Sequence, residues 1–543
     1  MNFTTLISQY SKKGRKGYNP IMIYAIILYA NMRGIFSVDK IVESLNRDIG
    51  FIWLANGEKP KRDVFYDFIN EKLTVEILED LHYQFIRKLK KENYLTLNKL
   101  FLDGTKIEAN AGRYTFVWRG SINYRVVNLL DQIDILFNQF NNFMKSNNFD
   151  NKYNIPNKEM FFVEGQEKVK EVIKNNRERK LNNKKKISNN TLLEIDSISP
   201  IDMLKTASIL SDIAKEEGII FVNKKGNKKS ELQKLYESFL EKGERLLKYK
   251  NYFETMGTDR NSFSKTDIEA TFMRMKEDHM RNGQLKAAYN LQFAVENYFI
   301  VHVHVSNDRT DYNTLIPIVE KHKVHFKGML EEFIADSGYA SEKNFVYLKE
   351  NQIESFIKLQ EHEKKKTRKY HENISKYYNM DVVESIDPAG NSIKGYVCHD
   401  GRTLNHVKTE VHSSNGFERI FEVYSSESCN GCEHKSNCLY KFNPEKHQAK
   451  NKTMKVNVRW DNLKEWSEQN VLSETGILYR QIRSVMTEGS FGDMKENDQF
   501  RRFHRRGSEK VKKEILLYSM SRNINKYFRY EHDMLKNFEG NAA

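Results

Sequence analysis

Proline is nearly missing from this sequence, at 7 in 543 residues. That excludes collagen-like, mucin-like and proline-rich scaffold proteins. Cysteine is scarcer still, at 4, too few for a secreted chain held together by disulfides. Long apolar runs are absent too. The longest, Ile21 to Ala30, follows the basic run Lys12-Lys13-Gly14-Arg15-Lys16 and superficially resembles a signal peptide. It falls well short of the ~20 residues that span a bilayer, and Asn31-Met32-Arg33 follows it instead of a small-residue cleavage site. It reads as a buried helix, and the chain as a cytoplasmic protein with no membrane partner.

What is present is core and charge. Hydrophobic residues make up 39% and charged residues 30%, so the chain as a whole is not disordered. Its length suggests three or four structural units at ~100–200 residues each. Lys and Arg number 88 against 73 Asp and Glu, a net charge of +15. A surplus of that kind favours a polyanionic partner, most often nucleic acid.

Residues 1–95 read as helical. Ser37 is placed to cap a helix whose Val38, Ile41, Val42 and Leu45 share one face. A basic-led amphipathic helix follows over Lys61 to Lys72, and short helices of this kind are compatible with a helix-turn-helix or with a plain bundle. Leu97 to Ala109 alternates as a strand does, with Asp103 inside it, and Asp is depleted in strands. Residues 126–283 read as a polar, mostly helical insertion. Its basic runs, Lys174 to Lys180 and Lys184 to Lys186, suit a solvated face or a phosphate-contacting arm. Ala287 to Val305 reads as a hairpin turning at Glu296-Asn297, with His302 and His304 as solvent-side strand histidines. Glu332 to Ala335, a helix capped by Ser341 and a strand over Ile353 to Leu359 form a parallel strand–helix–strand unit. Asp336 then lies at the carboxyl end of a strand, where open α/β sheets place their sites. Residues 361–470 read as irregular and lysine-rich. Glu474 to Asn497 and Glu509 to Tyr527 read as helices.

Three carboxylates stand out by context: Asp103 in a strand, Asp336 ending one and Glu488 on the late helix. Magnesium prefers oxygen ligands, and two such ions ~4 Å apart activate water and stabilise a leaving alkoxide in phosphodiester chemistry. Charge and periodicity alone do not select these three among 73 acids; their local sequences do. Phe101-Leu102-Asp103-Gly104-Thr105-Lys106-Ile107-Glu108-Ala109-Asn110 resembles the first catalytic block of bacterial DDE transposases of the insertion-sequence 1182 type. Ala335-Asp336-Ser337-Gly338-Tyr339 resembles the second, and Glu488-Gly489-Ser490-Phe491-Gly492-Asp493-Met494-Lys495 the third. Phe51-Ile52-Trp53-Leu54 and Phe65-Tyr66-Asp67-Phe68 are similar to the N-terminal domain of that group, and Tyr289-Asn290-Leu291-Gln292 also fits.

The resemblance implies an α/β protein with an RNase H-like catalytic core over 96–125, 284–360 and 471–530. An N-terminal helical DNA-binding domain, the helical insertion and a cysteine-containing insertion accompany it. It further implies that Asp103, Asp336 and Glu488 bind Mg2+ (or Mn2+), cut double-stranded DNA at the element's ends and join the freed 3′-hydroxyl to target DNA. The expected assembly is a homo-oligomer on DNA, associated with the bacterial nucleoid. The rival readings are a non-transposing RNase H-like nuclease and a catalytically silent DNA-binding protein derived from a transposase. The family's late-helix signature is a tyrosine, an arginine, the glutamate and a lysine. Lys495 fits it, two turns after Glu488. Arg483 lies ~140° from Glu488 on a straight α-helix, where Ser484 holds the same-face position. Either the helix is distorted or Arg480 serves instead, and Tyr479 is ambiguous in the same way. Arg501, Arg502, Arg505 and Arg506 form a dense basic turn suited to DNA phosphates.

All four cysteines fall between 398 and 438. Cys429 and Cys432 have the spacing of a zinc knuckle, Cys438 follows, and Cys398 completes a four-thiolate set for a structural Zn2+. His399 and His434 are substitute ligands. The bland alternative is four reduced cysteines sharing a loop.

Overall fold

The computed structural model describes residues 1–10, 17–149, 152–153, 200–222, 228–257, 260–275, 283–328, 330–386, 390–414, 416–440, 442–443 and 450–532. The basic runs at 174–186 and 12–16 lie outside them. The chain is of the mixed α/β kind. It forms two compact units: residues 1–107, 290–504 and 509–543, and residues 108–289 with 505–508.

The first unit opens with helices. Pro20–Met32 begins with proline at its first position, where no amide hydrogen is needed, and Asn19 accepts from the Ile21 amide. Its apolar residues Ile23, Ile26, Ile27 and Ala30 are buried, as expected of a core helix and not of a signal peptide. Among the described residues no helix is long and apolar enough to cross a membrane. Val38–Arg47, Ile49–Leu54 and Arg62–Asp67 follow, the last continuing as a π-helical turn, Phe68–Lys72. Val75–Lys91 is capped by Thr74. The chain then enters β1 (Lys99–Glu108) and passes through it into the second unit.

Among the described residues, that unit is built on the helices Arg119–Ser146, Pro200–Glu216 and Glu231–Met256. Leu130, Ile133, Phe137, Leu210 and Phe239 are among the side chains of its core. β2 (Phe116–Trp118) pairs antiparallel with β3 (Ser262–Ser264), and β4 (Thr271–Arg274) with the first residues of β5 (Leu285–Glu296). Arg506 in this unit donates from Nε to the Asn110 carbonyl at 2.8 Å.

Back in the first unit, β5 turns into β6 (Phe299–Ser306) at Asn297 and Tyr298, both left-handed at φ 45° and 65°. That pair of conformations makes the tight hairpin turn whose twist matches the strands. β7 (Glu332–Ala335) and β8 (Glu354–Ile357) complete a sheet ordered β6-β5-β1-β7-β8. β5 and β6 run antiparallel, whereas β1, β7 and β8 run parallel. The helix Glu342–Glu350, capped by Ser341, makes the crossover between β7 and β8.

Two expectations fail. His302 is fully buried instead of facing solvent, because Val75–Lys91 covers that face of β6. Its ring nitrogens lie 2.8 Å from the Tyr83 hydroxyl and 2.9 Å from His322 Nδ1. His304 is largely buried too, with its imidazole pushed down to about 4 by burial and then by Lys321 and Lys512. Residues 361–470 are not irregular. They hold an antiparallel sheet ordered β13-β12-β11-β10-β9: β9 (Asp381–Ile386), β10 (Ser392–Val397), β11 (Thr403–Ser414), β12 (Phe417–Ser426) and β13 (Thr453–Val456). Its core is small, chiefly Tyr396, Leu404, Tyr424 and Val456, and much of the β11–β12 hairpin is exposed on both faces. Such strands carry little of the apolar alternation that marks a half-buried one.

Candidate active site at the ends of two parallel strands

Leu102 of β1 pairs with Ala335 of β7 as the last pair of their parallel ladder, so Asp103, within β1, and Asp336, just past the end of β7, follow side by side where that pairing stops. Adjacent strands are ~4.8 Å apart, which brings two carboxylates on neighbouring strands within reach of one cation. Each carboxylate is held by the chain that follows it. Asp103 Oδ1 accepts from the Gly104 amide and Asp336 Oδ1 from the Gly338 amide, both at 2.8 Å. A side chain at either glycine would disturb the polar groups of the site. A Cβ at Gly104 would collide with the Gln292 amide, and one at Gly338 would come within 2.9 Å of Asp336 and 3.1 Å of Asp311.

Glu488 reaches these strands on a helix that is α-helical over Glu474–Arg483, π-helical over Ser484–Glu488, α-helical over Gly489–Gly492 and π-helical again over Asp493–Asn497. The helix is anchored by aromatic contacts. Tyr479 sits against Phe101 and Phe356, and Phe491 stacks on Phe293 with ring centroids 4.8 Å apart. In a π turn hydrogen bonds run i→i+5, so residues five apart come onto one face. This is the distortion that the straight-helix geometry left open. Arg483 lies 3.6 Å from Asp103 Oδ2 and 3.5 Å from Glu488 Oε1, bridging the two acids.

A fourth carboxylate, Asp311, was not singled out from the sequence. Asn290 and Gln292 of β5 donate to its Oδ1 at 2.7 and 2.9 Å. The buried Tyr339 hydroxyl donates to Gln292 and is held well above its usual range by burial, then by Asp311, Asp103 and Asp336, with Arg483 opposing. One phenol thus senses three of the acids and the arginine at once. Nothing in the sequence around Asp311 sets it apart from other loop acids.

The remaining late-helix residues have different surroundings. Tyr479 is buried and donates to Glu332 at 2.6 Å, at the far end of β7 from Asp336. Arg480 has a buried Nε with no hydrogen-bond partner among the described residues. Lys495 is buried. Arg501 makes an exposed ion pair with Glu496 at 2.6 Å, and Arg502 is exposed beside it.

Cys398, Cys429 and Cys432 lie at two turns of the antiparallel sheet, and Cys438 ends the short helix Lys435–Cys438. Gly401 (φ 74°) turns the chain after Cys398, and Gly431 (φ 73°) turns it between Cys429 and Cys432. Arg402 ties the turns together, donating to the Ser428 and Asn430 carbonyls at 2.9 and 2.8 Å. The Lys452 amide donates to Cys429 Sγ at 3.2 Å, and the His399 and His434 rings lie 4.7 Å apart. Burial pushes the Cys438 thiol up, Lys452 opposes, and the other three cysteines add to the rise. None of the four is in a disulfide. Among the described residues no three His, Cys, Asp or Glu side chains form a ready-made metal-binding group, at the cysteines or at the strand ends. The donors themselves suit metals of two kinds: oxygen alone at the strand ends, for a hard cation, and sulfur in the second sheet, for zinc.

Residues 397–528 match a family model described as a transposase DDE domain, and residues 2–71 match one described as a transposase domain (DUF772). Together the matches support a bacterial-type DDE transposase family. The first spans Glu488 and all four cysteines; Asp103 and Asp336 lie outside both. A domain of this family implies transposition or nuclease activity on DNA in general, and such domains generally use divalent metal ions. No curated protein and no solved structure matches the chain.

Proposed function

We propose that this protein is a transposase of the insertion-sequence 1182 type, which cleaves double-stranded DNA at element ends and joins the freed 3′-hydroxyl to target DNA. The observation that carries the reading is the register that sets Asp103 beside Asp336, together with Arg483 tethering Glu488 to Asp103. The sheet order, an antiparallel hairpin beside parallel strands, supports an RNase H-like core. Asp103, Asp336 and Glu488 would hold Mg2+ or Mn2+, which supplies Lewis acidity to the attacking and leaving oxygens. The chain's own part is positioning. Gly104 and Gly338 fix the two aspartates, and Arg483 neutralises Asp103 and Glu488 before a cation is bound. Arg501 and Arg502 offer charge to the DNA backbone, while residues 1–95 form its second contact.

The test is purified protein with DNA carrying both element ends and magnesium. Cut ends joined to a second duplex support the reading. Cleavage without joining makes the protein a nuclease, and binding without cleavage makes it a silent DNA-binding derivative.

A structural role for zinc belongs to the same reading. Cys398, Cys429, Cys432 and Cys438 would close a four-thiolate site over the two glycine turns, stapling the sheet through which the chain reaches Glu488. Elemental analysis should find about one zinc per chain. Cys432→Ser should release it and raise proteolysis within residues 390–440. A metal-free, protease-resistant and fully active protein would rule the site out.

A further inference from the structure

A cavity of about 90 Å³ lies beyond the carboxylates, between Pro20–Met32, the end of the late helix and the helix Ser508–Glu531. That space holds several waters or one tetrahedral oxyanion. Its floor is cationic. Arg522, Lys526 and Arg529 stand at i, i+4 and i+7 on one helix, so they share a face. The Arg522 side chain is only 8% exposed. One of its terminal nitrogens pairs with Asp493 at 2.7 Å, yet its Nε is buried with no hydrogen-bond partner among the described residues. Lys526 lies over the Tyr298 ring at 5.5 Å and, like Arg529, forms no ion pair among the described residues.

The acids facing these groups do not balance them. Asp493 is taken up by Arg522, and Asp498 accepts from the Tyr518 hydroxyl at 2.7 Å. Burial pushes the Asp498 carboxyl up, and the Tyr518 hydroxyl and Arg522 oppose. Burial pulls the Lys526 ammonium down, Arg522 and Arg529 add to this, and Asp493 opposes. The Arg522 guanidinium, the Lys526 ammonium and the Arg529 guanidinium line one small polar space, and among the described residues only Arg522 of the three is in an ion pair. An arginine fork with a lysine point charge is the usual protein answer to phosphate.

We propose that this cavity binds a single phosphate group, carried either by the DNA backbone or by free phosphate. Its walls belong to the first long helix and to the helix that carries Glu488, so an occupant would brace these two against each other. The DNA source rests on the transposase reading; the phosphate chemistry does not.

The test compares wild type with the double variant Lys526→Gln/Arg529→Gln, neither residue belonging to the carboxylate site. Thermal melting is followed in rising inorganic phosphate against chloride of equal ionic strength. Wild type should melt progressively higher, since a ligand bound only by the native state stabilises it by mass action. The double variant should not respond, and Lys526→Arg should keep the response. Arg529→Gln alone, at the exposed rim, should weaken it several-fold and serves if the double variant does not fold. The affinity of both proteins for duplex DNA is then measured against salt. A slope shallower by about 0.9 in the variant, one phosphate contact, identifies DNA as the source. An unchanged slope identifies free phosphate. Melting of wild type that ignores phosphate, or an equal response in the double variant, overturns the site whatever the DNA data show. Melting is read without any cleavage, so failure of this site and failure of the transposase reading are separate results.

Discussion

Arg483 is the residue on which the geometry of the carboxylates turns. It faces Asp103 and Glu488 at 3.6 and 3.5 Å, and its side chain is 17% exposed. A cation that binds those acids must displace the guanidinium or share them with it. Arg483→Gln should therefore lower the magnesium concentration for half-maximal DNA cleavage by about two- to fivefold, the worth of a partly exposed ion pair at ~0.5–1 kcal/mol. A metal titration of cleavage reads this, and an unchanged or higher requirement would show that Arg483 does not compete for the acids. The local blocks singled out three acids, of which the fold sets Asp103 beside Asp336 and tethers Glu488 to Asp103 through Arg483. Arg483 was left unresolved in the sequence, because its partner depends on a π turn that no residue pattern in 484–488 announces. Asp311 was not legible at all, since only the fold brings it beside Gly338 and Gln292.

Among the elements, Val75–Lys91 shows what sequence periodicity misses. Strict alternation in β6 suggested one solvated face, yet the helix lies over it and converts His302 into a core residue. The parallel pairing of β7 and β8, the hairpin and the late helix were all legible, because each has a clear period and a turn or cap at its end. The cysteine-bearing sheet was not, because its strands are polar on both faces. The buried histidines have a consequence for stability. Burial pushes His82 and His322 down to about 4, as it does His304, while in the unfolded chain each titrates near 6.5. The folded state therefore holds these rings neutral while the unfolded state gains protons below about pH 6.5. Stability should be complete above that pH and be lost progressively toward pH 4. Thermal melts at pH 7.5 and pH 5 should differ clearly, the acid sample melting lower. A flat profile across that interval would mean the histidines are solvated.

For the whole molecule the governing quantity is the net charge of +15. DNA affinity should fall steeply with salt, with a logarithmic slope of about −0.9 for each phosphate neutralised. The Arg501–Glu496 pair does not remove Arg501 from this count, since exposed ion pairs are worth little and exchange readily with phosphate. Arg501→Gln with Arg502→Gln should weaken binding to all sequences and flatten the slope, measured by fluorescence anisotropy between 50 and 200 mM salt. An unchanged slope would assign both arginines to the protein's own surface. The excess of basic charge was plain in the composition; which basic residues meet DNA was not, because Lys495 and Arg480 on the same helix turn out to be buried or partly buried.

The central claim is that Asp103, Asp336 and Glu488 act as one catalytic set, and Asp336→Ala tests it most directly. Asp336 makes no ion pair with Arg483, so its loss leaves the Asp103–Arg483–Glu488 bridge in place. The assay is a duplex ending in the repeats that flank the protein's own gene, with magnesium, scored for cut ends, joined products and bound fraction. The account predicts that cutting and joining both vanish while binding stays within about twofold of wild type, because metal-held carboxylates serve chemistry and phosphate contacts serve affinity. Near-normal cutting by Asp336→Ala would contradict it.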